Sequence, residues 1–167
     1  ILFAETRGTD AATASYTKEV EEHIAVTFEE GVPVIVSGLG NPSCIIPRAH
    51  AIGMVVMALV GTSRQALQVE ASGVDAVIAS GHEGGGHVGR VGTLPLVSKV
   101  VDLVKIPVLA AGGISDGRAL AAALALGAQG VWMGTRFIAT KEARGHINYK
   151  NKIVEIDEDG TVVSRAN

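Results

Sequence analysis

Five short runs of β-branched and apolar residues punctuate this chain, and each closes on glycine or another small residue. Val32-Pro33-Val34-Ile35-Val36 ends at Ser37-Gly38-Leu39-Gly40, and Met54 through Val60 ends at Gly61-Thr62-Ser63. Val74 through Ala79 runs into Ser80-Gly81, Ile106 through Ala111 meets Gly112-Gly113, and Gly130 through Met133 meets Gly134. Continuous apolar runs, rather than alternating ones, are what strands covered on both faces require, as in a parallel sheet. The segments between them have helical period. Val20, Ile24 and Phe28 recur every four residues, Ala66 and Val69 precede a stop at Gly73, and Leu96, Val100, Leu103 and Val104 share a stripe. Ser115 or Asp116 is placed to cap a helix through Leu120, Ala123 and Leu124 that stops at Gly127. Repeated strand, turn and helix predict an α/β protein with a parallel sheet. Five strands leave a barrel and an open doubly wound sheet both standing, because a barrel typically needs eight strands and about 250 residues.

The two ends are less regular. Thr6 to Ser15 is small and polar and reads as a loop. Ile153-Val154-Glu155-Ile156, Asp157-Glu158-Asp159-Gly160 and Thr161-Val162-Val163 have the local look of a β-hairpin. The chain begins without Met or a basic, apolar leader, so its true start is expected upstream.

Composition removes several classes of function. The 167 residues are 47% hydrophobic and 19% charged, which suits a packed domain. Fourteen Lys and Arg against 17 Asp and Glu, with 4% aromatics, offer no basic patch with stacking side chains, so no nucleic-acid partner is expected. The longest apolar run, Ala51 to Gly61, falls short of the about 20 residues that span a bilayer, so no membrane partner is expected either. Cys44 is the single cysteine, which rules out an internal disulfide or a cysteine cluster and points to a cytoplasmic setting. In an Ala/Val-rich chain it reads as inert core.

Chemistry concentrates in Ser80-Gly81-His82-Glu83-Gly84-Gly85-Gly86-His87-Val88-Gly89. Gly84, Gly86 and Gly89 fit the dinucleotide fingerprint, but His82-Glu83 separate them from the strand and no acidic residue ends the next strand. His82-Glu83 to His87 is one residue too long for a zinc-binding H-E-x-x-H, and three glycines forbid the helix; no metal site is expected. What remains is a glycine-rich active-site loop at a strand's C-terminal edge, where backbone without Cβ atoms approaches a flat cofactor and a histidine faces substrate. His87 is the stronger functional candidate and His82 the weaker; His23, His50 and His146 default to structural or solvent roles. Ala110 to Gly117 and Gly134-Thr135-Arg136-Phe137 are strand-to-helix turns whose backbone N–H groups, with a helix N-terminus, suit a phosphate.

In combination these motifs resemble the nitronate monooxygenases, formerly 2-nitropropane dioxygenases. The resemblance rests on Ser80-Gly81-x-Glu83-x-Gly85-Gly86-His87-x-Gly89, Pro107-Val108-Leu109-Ala110-Ala111-Gly112-Gly113-Ile114-Ser115-Asp116-Gly117, Leu126-Gly127-Ala128 and Met133-Gly134-Thr135-Arg136-Phe137. It extends from about Thr17 to the tail, and the flavin-dependent enoyl-acyl carrier protein reductases share the same signatures. The resemblance implies a parallel (β/α)8 TIM barrel holding flavin mononucleotide (FMN), of which residues 1–167 are the C-terminal part with about five βα units. It further implies a phosphate on Gly112, Gly113, Gly134 and Thr135, and the isoalloxazine beside Gly86 and His87, with Ser37 and Ser80 as further cofactor contacts. His87 would act on a nitro substrate, as base or as binder of the nitronate, since imidazole titrates near neutrality. The tail would be a helix from about Asn148 to Ile156. The implied activity is oxidation of small-molecule alkyl nitronates by molecular oxygen. Reduction of an enoyl thioester with NAD(P)H through the same FMN is the alternative, and a non-catalytic phosphate-ligand module or inactive fragment is the competitor from another class. A homo-oligomer is compatible with all of them.

Overall fold

The computed structural model describes residues 2–3 and 11–164, with side chains described from Lys18 onward. The elements run β1 (Leu2–Phe3), α1 (Ala11–Glu29), β2 (Val34–Ser37), β3 (Leu39–Gly40), α2 (Ile46–Ala51), β4 (Val55–Val60) and α3 (Ser63–Ala71). They continue with β5 (Ala76–Ser80), α4 (Thr93–Leu103), β6 (Val108–Ala111), α5 (Gly117–Ala125), β7 (Gly130–Trp132), α6 (Thr135–Ile138) and α7 (Ile147–Glu155). The five apolar runs are β2, β4, β5, β6 and β7. They form one all-parallel sheet in the order β2-β4-β5-β6-β7, which is chain order.

That order separates the two architectures. A doubly wound sheet reverses direction at a switch point, whereas right-handed crossovers that never reverse lay every helix on one face. The strand register confirms the sidedness. Ile35 pairs with Val56; one row runs through Ser37, Ala58, Val77 and Val108, and the next through Val60, Ala79 and Ala110. This face is buried under Ala49, Ala66, Val69, Leu96, Val97, Val100 and Ala123 from the helices. The opposite face carries Val34, Val55 and Trp132, which are 44%, 39% and 41% exposed. One face under helices, and an opposite apolar face buried at its centre at Ile78 and exposed toward its flanks, describe an arc of a (β/α)8 barrel. Beyond Gly38, β3 continues β2 and pairs in parallel with β1 through Leu2↔Leu39 and Phe3↔Gly40. One more strand position than the five runs predicted therefore lies at that edge.

Local signals explain the helix bounds. Thr62 accepts from the Gln65 N–H at the start of α3, and Asp116, not Ser115, caps α5. Ile24 and Phe28 of α1 pack on the core, and the Arg48 guanidinium sits 3.9 Å over the Phe28 ring. Three expectations change. The stretch read as a loop to Ser15 is helical from Ala11, while residues 6–10 lie outside the described residues. The local hairpin does not form: Ile153 and Val154 belong to α7, whose N-terminus is held by His146 Nδ1 accepting from the Asn148 N–H at 3.2 Å. Cys44 is exposed, because the turn ahead of α2 turns Pro42 and Ile45 inward and leaves Cys44 at its outer corner. Among the described residues no helix is long and apolar enough to cross a membrane.

Candidate functional site

All the candidate residues except Ser37 gather at the C-terminal ends of the adjacent strands β5, β6 and β7. β5 ends at Ser80, and the loop from Gly81 to Gly92 leads into α4. Its base is closed by the His82 N–H donating to the Val91 carbonyl at 2.9 Å and the Gly84 N–H donating to Gly81 at 3.1 Å. The Gly81 N–H also reaches the Ala111 carbonyl at 3.0 Å, extending the β5–β6 ladder by one rung.

A residue that the sequence reading passed over organises this loop. α4 begins at Thr93 with Gly92 in the capping position, so no local side chain serves its first N–H groups. Glu83 does so from ten residues upstream. Its carboxylate accepts from the Thr93 N–H at 3.0 and 3.1 Å and lies 2.8 Å from Thr93 Oγ1. The buried Thr93 hydroxyl is also 2.9 Å from the Gly112 carbonyl and 3.2 Å from that of Ala111, so it bridges the loop to the turn after β6. Burial alone would raise the Glu83 pKa. Hydrogen bonds from its own N–H and from the Thr93 hydroxyl and N–H, with His82 nearby, outweigh burial and hold it below its ordinary value. The readable signal was a helix start at Thr93 with glycine where a cap belongs.

Glycine is required where these parts meet. A Cβ on Gly81 would collide with Thr93 Oγ1 and the Thr93 backbone nitrogen, and would lie 2.5 Å from Glu83 Oε2. Gly113 has φ +68°, and a Cβ there would come within 3.2 Å of Glu83 Cβ. A Cβ on Gly85 would lie 3.4 Å from Thr135 Oγ1, so the histidine loop also meets the turn after β7.

The remaining candidates divide clearly. His87 is exposed at the loop's apex and makes no hydrogen bond or ion pair among the described residues. His82 instead leans on Glu83, Nδ1 to Oε2 3.5 Å. Ser80 pairs in register with Ala111, on the concave face, and its hydroxyl makes no hydrogen bond among the described residues. Ser37 is not brought to the cluster. It pairs in register with the core residue Ala58, is 1% exposed, and its hydroxyl donates to the Gly40 carbonyl at 2.9 Å, holding the β2–β3 turn.

The anion cradle is narrower than the sequence implied. Asp116 accepts from the Arg118 and Ala119 N–H groups, both at 3.0 Å, so the α5 N-terminus already holds a carboxylate. The N–H groups of Gly113, Ile114, Gly134 and Thr135 are among those in the two turns that make no hydrogen bond among the described residues. A cavity of about 210 Å³ lies nearby between α4 and α5, but Leu94, Val97, Ile114, Ala122 and Leu126 make it too apolar for a phosphate. Glycines at close approaches, unbonded N–H groups on two neighbouring strand ends and an uncommitted histidine fit a flat phosphorylated cofactor.

The family model for nitronate monooxygenase matches residues 4–167. The chain belongs to the nitronate monooxygenase family. Among solved structures, it is 44% identical to FabK from Thermotoga maritima with a TM-score of 0.80, covering 93% of this chain and 46% of that one. It is 38% identical to nitroalkane oxidase from Streptomyces ansochromogenes with a TM-score of 0.76, covering 80% of this chain and 42% of that one. A curated relative from Rhodococcus jostii (strain RHA1), named (3aS,4S,5R,7aS)-5-hydroxy-7a-methyl-1-oxo-octahydro-1H-indene-4-carboxyl-CoA dehydrogenase, is 43% identical over 147 residues, which are 88% of this chain and 42% of the relative. The chain thus spans less than half the length of each of these proteins. The nitronate monooxygenase family is one of oxidoreductases that are generally flavin-dependent.

Proposed function

We propose that this chain forms part of an FMN-dependent oxidoreductase that oxidises alkyl nitronates with molecular oxygen. The observation that carries the reading is His87, without a hydrogen-bond or ion-pair partner among the described residues at the apex of a glycine loop, beside N–H groups on the next two strand ends that are unbonded among those residues. The N–H groups around Gly112-Gly113 and Gly134-Thr135 would hold the FMN phosphate, and the backbone near Gly86, with the Ser80 hydroxyl, would lie along the ring. Bound flavin supplies the acceptor for the substrate's electrons. His87 takes a proton from the carbon next to the nitro group, or binds the nitronate oxygens when the substrate arrives already ionised. Because His87 has no carboxylate partner among the described residues, either role is open to it without first breaking an ion pair there.

A second reading is reduction of an enoyl thioester with NAD(P)H through the same FMN. Two similarities favour it: the one to FabK, an enoyl-acyl carrier protein reductase, and the one to a dehydrogenase named for a CoA thioester. Oxygen uptake with propionate 3-nitronate, set against NADH oxidation with a crotonyl thioester, separates the two in a protein spanning the full length of these relatives. Uptake of oxygen without NADH is the expected result, and NADH-dependent loss of the thioester alone would replace the first reading with the second. In the same protein, His87→Asn should cost about 10²–10⁴-fold in turnover of a neutral nitroalkane if His87 is the base, with far less effect on the preformed nitronate. Equal losses on both substrates would mark His87 as a binding group. His82→Asn should be mild on both.

A further inference from the structure

We propose that Glu83, acting through Thr93, is the positioning residue that locks the His87 loop to the Gly112-Gly113 turn; the catalytic part of this inference rests on the function proposed above. A loop of twelve residues containing six glycines carries little stiffness of its own, so the place of His87 must be set by whatever fixes the loop's base. The base has one charged anchor. Glu83 lies four residues before His87, and its carboxylate is tied to Thr93 by both the backbone N–H and the hydroxyl. Thr93 in turn lies within hydrogen-bond reach of the Gly112 carbonyl, and the Glu83 stem packs 3.2 Å from where a Gly113 side chain would start. One short chain of contacts thereby joins the histidine loop, the first turn of α4 and the turn proposed to hold phosphate. The absence of a side chain at Gly81 is what leaves room for it. Glu83 does not need to touch substrate for this. Its fixed charge strengthens each hydrogen bond it accepts, and those bonds define where His87 stands relative to the cradle.

The test uses the full-length protein and the variants Glu83→Gln, Thr93→Val and Thr93→Ser. Amide hydrogen exchange of the flavin-free protein is followed across residues 82–92 and, as an internal control, across β5 and β6. Glu83→Gln and Thr93→Val should each speed exchange in the loop by about tenfold while β5 and β6 stay protected, and Thr93→Ser should match wild type. Combining Glu83→Gln with Thr93→Val should add little to either alone, since both cut the same link. In the flavin-loaded enzyme the two single variants should lower kcat for the neutral nitroalkane by about ten- to a hundredfold with KM nearly unchanged, as a misplaced catalytic group does. Unchanged loop exchange in Glu83→Gln, or a Thr93→Ser variant as defective as Thr93→Val, would overturn the positioning role. So would loosened loops with wild-type kcat. If wild type binds no flavin, the proposed function fails by itself, and the exchange measurement still decides whether Glu83 holds the loop.

Discussion

Gly113 and Gly134 both belong to the proposed cradle, yet they do not test it equally. Gly113 sits at φ +68°, where any side chain is strained, and a Cβ there presses on Glu83. A substitution at Gly113 would disturb fold and ligand together. Gly134 has φ −112°, and no atom lies within 4 Å of where its Cβ would be. Gly134→Ala should therefore leave the thermal midpoint nearly unchanged while weakening FMN binding by about tenfold or more, because the added methyl would hold the phosphate off the turn's charge-assisted N–H contacts. Fluorescence titration of flavin-free, full-length protein with FMN, beside a thermal melt, reads both quantities. Unaltered affinity in Gly134→Ala would move the phosphate away from this turn. Gly81→Ala makes the opposite prediction: its Cβ would collide with the Glu83–Thr93 link, so stability should fall with or without flavin.

Two neighbouring helices, α4 and α5, begin with a carboxylate at their N-termini, one reached across a loop and one local. The Glu83 and Asp116 pKa values both lie below their ordinary values of 4.5 and 3.8. For Asp116, N–H donation from Ala119 is the largest cause, followed by the Arg118 side chain. A carboxyl whose folded pKa is depressed binds its proton more readily in the unfolded chain. Its contribution is complete above the unfolded value and is lost as pH falls through the folded one. Acid should therefore loosen the starts of α4 and α5 below about pH 4.5. Thermal midpoints measured from about pH 6 to about pH 2 should show a shallower acid slope in Glu83→Gln than in wild type. At neutral pH, Asp116→Ala should lower the midpoint, while Asp116→Asn should nearly preserve it because asparagine caps about as well as aspartate. Equal losses in the two Asp116 variants would mean that charge, and not capping geometry, holds α5.

The arc has one face packed under helices and one that is exposed on its flanking strands, and on β4 a one-residue step crosses between them. Val56 is fully buried against the helices, while Val55 is 39% exposed on the concave side. Val56→Glu should unfold the chain, since an unpaired buried charge costs several kcal/mol against a typical stability of about 5–15 kcal/mol. Val55→Glu should cost less than about 1 kcal/mol and reduce self-association, measured by sedimentation across protein concentration. Trp132 is the single tryptophan, lies on the same concave face and is 41% exposed, so its fluorescence reports on what covers that face. Iodide should quench it readily in this chain and weakly in a protein as long as the relatives, if their additional residues close the barrel there. Equal quenching in both would show that the face stays open.

Local residue patterns were enough to place the elements: five apolar runs became β2, β4, β5, β6 and β7, helical spacing placed α3, α4 and α5, and Gly127 ended α5. These signals are local, because burial on both faces, a 3.6-residue period and a missing Cβ act within a few residues. The glycine loop and the two turns were legible for the same reason. Tertiary structure decided the rest. Strand order distinguished the barrel arc from a doubly wound sheet, since each run is equally apolar in either arrangement. Register put Ser80 beside Ala111 on the concave face and Ser37 beside Ala58 under the helices, although both serines end similar strands. The tail's β-branched residues suited a hairpin, but the cap from His146 and the turns of α7 gave Ile153 and Val154 helical backbone. Glu83 stayed hidden because the helix it caps begins ten residues later, and only the folded loop brings its carboxylate to Thr93.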